Sequence, residues 1–512
     1  MAGILDNDLI HCIDPRSGAP TVDVRQTPIA DVPGVAALAH EAQRHWAELG
    51  LAHRKKVIGD VHQAFLARGA EVVALLGEEV GRPAGEAWTA EVIANSDLFA
   101  WWLKHIDDLL ATTPLGLNPI SYPRKRGWVQ LEPKGVVGLV TPWNLPVAIP
   151  LRALVPALLA GNAVLWKPSE HSPRTAALLH SIFQPLVPDG LIGLIQGGGD
   201  RGAAVVGAGV DAVFFTGSER TGRKVHSQAA ALGLPCALEL GGKDAAVVLP
   251  DANLKRAVAG ITWAAYGLAG QNCAAVERCF VHRSVYDAFV AAAVEATLKL
   301  RPLKDVGPLV NQSQLDVVKA HLAAAVAAGA KVDAGGAADG PGYYHEPTVV
   351  TGVTDDMDLM REETFGPLLP IAPYDDLEEV IRRVNGTRFG LTTSVWTSDL
   401  DAGQALASRF ECGVVTVNNH AFTGALPDGT WGGVKSSGHG VTNSRFALYE
   451  MVRPRTVVVD GLSQSDNWWF PYNDALSSMA SGLVELQRRG GNRLQGVRGA
   501  VTGLLNRWKA DK

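Results

Sequence analysis

The sequence predicts an α/β protein built on parallel, doubly wound sheets. From Gly135 onward, short apolar runs rich in β-branched residues alternate with segments of helical spacing. The chain has 55 glycines, as expected for many short connections between strands and helices. Its 512 residues exceed one ordinary core, so we expect two or three domains.

The first α/β series follows a helical region at 31–110, whose apolar residues recur at helical spacing. The predicted strands are GVVGLV at 135–140, AVLWK at 163–167, Leu191–Ile195 and Asp211–Phe215. The predicted helices are Ile149–Ala160, Arg174–Leu186, a short one at Gly202–Gly207, and Thr221–Leu232. This alternation predicts a parallel sheet.

A second series follows Glu239, and it predicts a second α/β unit. Its strands are AAVVL at 245–249, RCFVH at 278–282, Thr348–Val350, Leu391–Trp396 and VVTVN at 414–418, with helices at Leu254–Tyr266 and Tyr286–Leu300. Two successive units place a ligand cleft between them. The polar, aromatic and proline-containing segment 118–132 instead predicts a protruding β-hairpin.

Composition excludes several classes of protein. Hydrophobic residues make up 47% and charged residues 19%, which is typical of a globular chain. The net charge of −6 has the wrong sign for general nucleic-acid binding. The N-terminus lacks the pattern of a secretory signal, and no apolar run is long enough to span a bilayer. Five cysteines form no metal-ligand pattern and favour a reducing cytoplasm.

Five candidate residues occur in the order Asn144, Lys167, Gly217, Glu239 and Cys273, and all but Cys273 stand just past a predicted strand. Each taken alone has an ordinary explanation as a turn, a cap or a buried cysteine. Ligands of open α/β sheets bind at the carboxyl ends of the strands. The joint placement therefore favours one ligand site.

Three of these residues suit covalent catalysis on a carbonyl. Cys273 follows a Gly-rich turn and has small neighbours, which leave room for a carbonyl beside a nucleophilic thiol. The side-chain amide of Asn144 can donate to a developing oxyanion. Glu239 ends a strand beside two glycines, where a carboxylate can activate water.

Two loops suit a phosphate or a ribose. Around Gly217 a strand leads through a glycine turn into a helix, which Ser218 would cap and Gly222 would let pack closely. The free N–H groups of that helix favour a phosphate, although the segment departs from GxGxxG and is a weak signal alone. Lys167 and Glu170 end another strand and could face a ribose or a phosphate.

Eight short motifs are spread along the chain: TPWN at 141–144, KPSE at 167–170, FTGS at 215–218, ELGGK at 239–243, GQNC at 270–273, EETFGP at 362–367, NGTRFGL at 385–391 and WGGVKSSG at 431–438. Through these motifs the sequence closely resembles the aldehyde dehydrogenase superfamily, from about Asp14 to about Val459. ELGGK followed by GQNC at this separation is highly specific.

The resemblance implies NAD(P)-dependent oxidation of an aldehyde to a carboxylic acid. Cys273 would be the nucleophile, its N–H and the Asn144 side chain would form the oxyanion hole, and Glu239 would activate the water that hydrolyses the thioester. Residues at the cofactor would be Thr141, Pro142, Trp143, Lys167, Ser169, Glu170, Phe215, Gly217, Ser218, Gly222, Leu240, Glu363 and Phe365. No metal is implied.

The resemblance also implies the architecture. A Rossmann-like cofactor domain would comprise 1–117 and 136–240, and a second α/β catalytic domain 241–438. A small β-hairpin bridging domain, used for oligomerisation, would comprise 118–135 and 451–460, and the chain would form a homodimer or homotetramer. The last motif continues as GHGVTNSRFALYEM instead of the usual Gly-Arg-Glu run, which leaves the substrate entrance and the assembly open.

Alternatives to a hydrolytic NAD enzyme remain. The CoA-acylating branch of the family lacks the glutamate that stands here as Glu239, and the intact Asn144, Glu239 and Cys273 argue against a catalytically silent, membrane-associated scaffold. Glu170 would repel a 2′-phosphate and favours NAD, whereas Lys167 keeps NADP possible. Arg278 and Arg283 remain candidates for a carboxylate-bearing substrate, and the aldehyde itself is open.

A C-terminal extension at 461–512 lies beyond the resemblance. It has an aromatic cluster of Trp468, Trp469, Phe470 and Tyr472, and then a helical pattern of Leu494, Val497, Val501, Leu504, Leu505 and Trp508. The surrounding basic residues are Arg488, Arg489, Arg493, Arg498, Arg507, Lys509 and Lys512. This pattern predicts a basic amphipathic helix that could lie on an anionic membrane.

Two other roles for the extension stay open. It could pack on its own or a neighbouring subunit, or it could gate the substrate entrance. Glycines at 490, 491, 496, 499 and 503 weaken a helix by ~1 kcal/mol each relative to alanine. If the extension does contact lipid, long-chain or aromatic aldehydes would be the natural substrates.

Overall fold

A computed structural model of the chain describes residues 5–6, 8–119, 121–461, 466–470 and 472–510, with the side chains of 507–510 excepted. The chain forms two compact units. The first comprises Met1–Ala111 and Leu131–Arg453, and the second Thr112–Gln130 and Pro454–Lys512. Within the described residues, no helix is both long and apolar enough to cross a membrane.

The strands follow the alternation seen in the sequence. They are β1 (Leu9–Ile10), β2 (Ile13–Asp14), β3 (Ala19–Pro20), β4 (Val24–Arg25), β5 (Thr113–Pro114), β6 (Lys125–Pro133), β7 (Val136–Val140), β8 (Ala163–Lys167), β9 (Ile192–Leu194), β10 (Ala212–Thr216), β11 (Cys236–Glu239), β12 (Ala245–Val248), β13 (Arg278–His282), β14 (Lys331–Ala334), β15 (Thr348–Thr351), β16 (Leu368–Tyr374), β17 (Thr392–Trp396), β18 (Val414–Val417), β19 (Gly438–His439) and β20 (Val452–Asp460).

The α-helices lie in the connections between these strands, except the last two, which follow β20. They are α1 (Val32–Glu48), α2 (Gly50–Ala67), α3 (Gly69–Val80), α4 (Ala84–Ala87), α5 (Ala94–Leu109), α6 (Ala148–Ala160), α7 (Pro173–Phe183), α8 (Gly199–Gly207), α9 (Glu219–Ala231), α10 (Leu254–Tyr266), α11 (Arg283–Leu298), α12 (Gln312–Ala327), α13 (Asp358–Arg361), α14 (Leu377–Asn385), α15 (Leu400–Ala407), α16 (Ser444–Tyr449), α17 (Asp474–Gln487) and α18 (Arg493–Ala510). A π-helical turn at Trp88–Ile93 joins α4 to α5.

The first sheet has the order β19-β11-β10-β7-β8-β9, and all pairs except β11–β19 are parallel. Every residue of β7 and β8 is buried, as expected when helices cover both faces of a parallel sheet. The strand order reverses between β7 and β10, and ligands of Rossmann-like sheets bind at such a switch point. The predicted Rossmann-like fold is confirmed.

The second sheet has the order β14-β15-β16-β13-β12-β17-β18 and is parallel except at β14. It has its own hydrophobic core, which confirms a second α/β arrangement. The sequence analysis did not identify β16, because Pro370 and Pro373 argue against a strand. β16 nevertheless pairs with β13 and β15 on its two sides.

The second unit contains a three-stranded sheet of order β20-β6-β5, in which β5 and β6 are antiparallel. A hairpin is present, but it is shifted from the predicted 118–132: Lys125 begins its long strand and the partner strand is β5. Pro123 lies just before this strand and cannot donate a ladder hydrogen bond. Ile120 lies outside the described residues.

The extension forms two antiparallel helices, α17 and α18, where the sequence predicted one. Helix α18 runs through Gly496, Gly499 and Gly503 in spite of their low helix propensity. The side chains of Arg507, Trp508 and Lys509, and all of Lys512, lie outside the described residues.

Candidate active site

A cavity of about 900 Å³ in the first unit has both Cys273 and Glu239 in its wall. Most of the remaining wall is apolar. Its large apolar side chains are Leu145, Ile149, Leu240, Trp263, Tyr266, Leu268, Leu300, Val306, Phe422 and Trp431. The cavity therefore offers an apolar chamber with a few polar groups, as small-molecule sites do.

Cys273 reaches the cavity from a strained turn. After α10, a 3-10 turn at Gly267–Gly270 holds Leu268 and Ala269 at φ of 58° and 55°, a conformation that costs a non-glycine residue about 1–3 kcal/mol. The carboxylate of Glu86 fixes this turn by accepting the Leu268 amide at 2.6 Å. At Gly270, an added Cβ would lie 2.2 Å from the Gly366 carbonyl oxygen, so only glycine fits there.

Glu239 is the last residue of β11, and it is buried. Neither of its carboxylate oxygens has a hydrogen-bond partner among the described residues. Burial raises the pKa of Glu239 well above the ordinary carboxyl value, and the nearby guanidinium of Arg152 opposes that rise. An unpartnered carboxylate in a cavity wall is suited to bind and deprotonate a water molecule.

The Cys273 thiol has its pKa raised to about 12, chiefly by burial. The charges of Asp244, Glu363 and Glu239 raise it further, and Arg152 lowers it. Arg152 lies on α6 and lines the cavity together with Cys273 and Glu239. The sequence analysis missed this arginine, because a single arginine in an apolar helix carries no motif.

Asn144 follows β7 and is buried directly before Leu145, which lines the cavity. Its backbone carbonyl accepts a hydrogen bond from the guanidinium of Arg82. The other end of that guanidinium lies 3.6 Å from the Glu86 carboxylate. Arg82 and Glu86 therefore connect the Asn144 loop to the turn that carries Cys273.

Lys167 and Glu170 form an ion pair at the end of β8, with 3.2 Å between Nζ and Oε2. Burial raises the pKa of Glu170, but Lys167 and His171 outweigh this effect, so the pKa lies below its ordinary value. Glu170 is therefore ionised near neutral pH. Trp143 stands edge-on to Phe365, with 5.6 Å between ring centroids.

The loop after β10 supports its helix partly as predicted. Ser218 caps α9 by accepting the Thr221 amide at 3.4 Å, and an added Cβ at Gly222 would lie 2.4 Å from Leu240 Cδ2. At Gly217 the ring of Phe215 occupies the side-chain space, 2.7 Å from an added Cβ. The Gly217 amide donates to the Glu239 carbonyl at 3.0 Å. Glycine is thus required at 217 by Phe215.

Glu363 lies over the paired glycines that follow Glu239. Its carboxylate accepts the Gly242 amide at 3.0 Å, and an added Cβ at Gly241 would lie 2.2 Å from it. Burial and the charge of Glu277 raise the pKa of Glu363 to about 8.

Glu277 is a second residue that the sequence analysis missed. Its carboxylate accepts the amides of Thr364 and Phe365, each at 2.8 Å, and the Lys243 ammonium at 2.5 Å. Both charged side chains are buried, and Phe365 is held at φ of 54°. The Lys243–Glu277 pair therefore fixes the loop that carries Glu363 and Phe365.

Comparison with known proteins assigns the chain to a family. Residues 5–457 match the family model described as the aldehyde dehydrogenase family. The chain belongs to the aldehyde dehydrogenase family. Membership confirms the prediction of an NAD(P)-dependent aldehyde dehydrogenase made from the sequence motifs.

Its relatives include a curated protein and solved structures. A 4,4′-diapolycopene aldehyde oxidase from a Methylomonas species is 35% identical over 445 residues, which cover 84% of this chain and 82% of that protein. The Mycobacterium tuberculosis aldehyde dehydrogenase, solved with NAD⁺, is 30% identical, with a TM-score of 0.84. The match covers 90% of this chain and 96% of that chain. The NAD⁺ complex of a Bacillus cereus aldehyde dehydrogenase is 29% identical, with a TM-score of 0.85. The match covers 89% of this chain and 94% of that chain.

The other residues predicted to lie at the cofactor stand in the loops after the strands of the first sheet. Thr141 accepts the Trp166 indole N–H at 2.9 Å, Ser169 accepts the His171 amide at 3.2 Å, and Leu240 lines the cavity. Pro142 lies between Thr141 and Trp143 in the loop after β7.

The two arginines considered for a carboxylate-bearing substrate have other partners. Arg278 is buried and donates to three backbone carbonyls, and Arg283 pairs with Asp375 on the surface. The arginine in the cavity wall is Arg152. From the segment that departs from the usual final motif, Thr442 contributes to the same wall.

Proposed function

We propose that this chain oxidises an apolar aldehyde to a carboxylic acid with NAD, through a thioester on Cys273 that water activated by Glu239 hydrolyses. The observation that carries the proposal is the single cavity wall shared by Cys273 and Glu239. The unpartnered Glu239 carboxylate supports its role as the base.

The first step is addition of the Cys273 thiolate to the aldehyde carbon. A new C–S bond forms and the carbonyl π electrons move to oxygen. The Asn144 side-chain amide and the Cys273 N–H would donate to that oxyanion. With a pKa of about 12 the thiol must lose its proton to solvent water in the cavity as it attacks, and the positive charge of Arg152 favours the thiolate.

NAD, when bound, supplies the acceptor for the hydride that leaves the tetrahedral carbon. Trp143, Glu363 and Phe365 would hold its nicotinamide end. Lys167, Ser169 and Glu170 would face the adenosine ribose. The residues proposed around the pyrophosphate are Gly217, Ser218 and Gly222, with Thr141, Pro142, Phe215 and Leu240 forming adjoining surface. The loops after β7, β8 and β10 fit a dinucleotide because they stand at the carboxyl ends of neighbouring parallel strands.

The charge of Glu170 supports NAD over NADP. An ionised carboxylate accepts hydrogen bonds from two ribose hydroxyls and repels a 2′-phosphate. Lys167 is already paired with Glu170, so its charge is largely neutralised for a second anion. The relatives from Mycobacterium tuberculosis and Bacillus cereus were solved with NAD⁺.

Hydrolysis of the thioester completes the cycle. Glu239 takes a proton from water, the oxygen bonds to the acyl carbon, and the C–S bond breaks to release the carboxylic acid and the Cys273 thiolate. The raised pKa of Glu239 makes its carboxylate a stronger base than an exposed glutamate. The presence of Glu239 argues against a CoA-acylating enzyme. The presence of both Cys273 and Glu239 argues against a catalytically silent scaffold.

The cavity wall supports a large apolar substrate. Its aromatic and aliphatic side chains surround a volume that suits a hydrophobic chain or ring. The Methylomonas relative is named as an oxidase of 4,4′-diapolycopene aldehyde. We propose that substrate, or another long apolar aldehyde, for this chain.

Assembly and location complete the proposal. The β5–β6 hairpin and β20 would join copies into a homodimer or homotetramer, which light scattering would distinguish. The sparse, unpaired cysteines support a reducing cytoplasm. Residues 461–512 would make peripheral contact with a membrane.

The experiment is a spectrophotometric assay for NADH with aldehydes of increasing chain length and with aromatic aldehydes. We expect kcat/KM to rise with chain length, and the free acid to accumulate without added CoA. Product formation only in the presence of CoA, or no NADH with any aldehyde, would overturn the proposal.

A further inference from the structure

The helices α17 and α18 contact each other through glycines. A Cβ added at Gly482 would lie 2.2 Å from the Ala500 nitrogen, and one at Gly503 would lie 2.4 Å from the Met479 nitrogen. Gly482, Gly496 and Gly503 are buried in this seam. The two backbones therefore approach as closely as the small-residue helix pairs of membrane proteins do.

The large apolar side chains of α18 lie away from that seam. We call them the outer stripe: Leu494, Val497, Val501, Leu504 and Leu505. All five are exposed, Leu494 at 86% of its surface. In a helix pair stabilised in water, such side chains lie between the helices. Here the five side chains of the outer stripe lie outside the seam and contribute little to holding the helices together, whereas Leu486 of α17 lies against Gly496 within it.

The segment before α17 adds aromatic surface. Trp468, Trp469, Phe470 and Tyr472 are exposed, Phe470 at 79%. Indole and phenol rings favour the boundary between lipid acyl chains and headgroups. The aromatic segment and the outer stripe together expose nine large apolar or aromatic side chains, and large exposed apolar surface is typical of an interaction site.

The charges of the hairpin are mainly positive. Arg488 and Arg489 lie in the connection between the helices, Arg493 begins α18, and Arg498 lies within it. The acids of this hairpin are Asp474 and Glu485, and Glu485 is paired with Arg488 at 3.2 Å. Arginines at the tip oppose insertion of the tip into the hydrocarbon interior, which favours a hairpin that lies along the surface.

We infer that the α17–α18 hairpin docks as one unit, flat on an anionic lipid bilayer. The outer stripe and the aromatic segment enter the acyl boundary, and the arginines face lipid phosphates. The glycine seam keeps the helices joined while their large side chains contact lipid. This inference rests on the peripheral contact proposed above and is independent of the chemistry at Cys273.

The test is co-sedimentation of the full-length protein with phosphatidylcholine vesicles, with and without phosphatidylglycerol. We expect binding to increase at least about tenfold with the anionic lipid and to weaken with salt. The triple variant Val497→Ser, Val501→Ser, Leu505→Ser should lose about tenfold or more of that binding. Thr502→Ser, at an exposed position outside the stripe, is the matched control and should bind like the parent protein.

A second variant separates charge from apolar contact. Arg488→Gln with Arg489→Gln should reduce binding to anionic vesicles and leave the weak binding to phosphatidylcholine unchanged. Circular dichroism checks that each variant retains its helices. All variants should oxidise a water-miscible aldehyde at the parent rate, which separates failure at the membrane from failure of the proposed catalysis.

Two outcomes would overturn the inference. One is a triple variant that binds anionic vesicles as strongly as the parent. The other is a parent protein that does not bind anionic vesicles; a smaller oligomer in the triple variant would then show that the stripe covers a second copy of the chain.

Discussion

Glu239 and Cys273 line one cavity although they belong to different elements of the first unit. Glu239 ends β11 in the first sheet, and Cys273 follows the turn after α10, which leads into the second. The backbone after Glu239 lies close to the backbone at Cys273, since a Cβ added at Gly242 would lie 2.8 Å from the Cys273 carbonyl oxygen. The ELGGK segment thus brings the base and the nucleophile to the same chamber.

The pH dependence of the reaction should reflect two raised pKa values. Glu239 must be ionised to accept a proton from water, and Cys273 must give up its thiol proton as it attacks. Because both pKa values are raised by burial, kcat should fall on acidification at a pH well above the ordinary titration range of glutamate. A profile that stays flat down to the ordinary glutamate range would contradict this expectation.

Arg152 should set the pH at which kcat falls on acidification, which is the acidic limb of the pH profile. Arg152→Met removes the cation that lowers both pKa values, so the limb should move to higher pH. The alkylation of Cys273 by iodoacetamide should move in the same direction, and Arg152→Lys should restore both. If Arg152 had only a structural role, its substitution would change the rate without shifting the pH dependence of kcat or of the alkylation of Cys273.

Glu277 should be important for stability. Glu277→Gln leaves the buried Lys243 ammonium without its counter-charge, and we expect the free energy of unfolding in urea to fall by about 3–5 kcal/mol. NAD should also bind more weakly, because Thr364 and Phe365 lose their anchor.

The matched control for Glu277 is Glu295→Gln. Glu295 also lies 2.5 Å from a lysine, but both partners are exposed. Its loss should leave the free energy of unfolding almost unchanged, because solvent screens an exposed pair. Equal effects of the two substitutions would show that burial of the Lys243–Glu277 pair is not what matters.

Glu170 should control cofactor choice. Glu170→Gln removes the negative charge next to the proposed ribose site, and the ratio of kcat/KM for NADP to that for NAD should rise about tenfold. Glu378→Gln, in a surface ion pair with Arg409, serves as the control and should leave the ratio unchanged. An unchanged ratio in both variants would remove Glu170 from the cofactor site.

Local sequence patterns predicted the parts of the fold that depend on local physics. Buried β-branched runs and glycine-ended helices correctly indicated the first sheet, and Ser218 was identified as a helix cap. The pattern failed at β16, where two prolines hide a strand that its neighbours stabilise. The predicted domain boundaries and catalytic roles remain predictions.

Contacts between distant residues could not be predicted in this way. Glu277 and Arg152 act on groups about 90 and 120 residues away in the chain, and no periodicity reveals such pairs. The helical spacing of 494–508 was detected, but it does not tell which face meets a second helix. The glycines, considered as weaknesses of the helix, prove to be its contact surface.

Glu239→Gln should trap the acyl group on Cys273. The variant protein, incubated with NAD and an aldehyde, should release one burst of NADH per active site and then stop, with Cys273→Ser as the control that gives no burst. Mass spectrometry of the digested protein should find the acyl mass on the peptide that contains Cys273. Steady turnover by Glu239→Gln at the parent rate, or an unmodified Cys273 after the burst, would contradict the proposed mechanism.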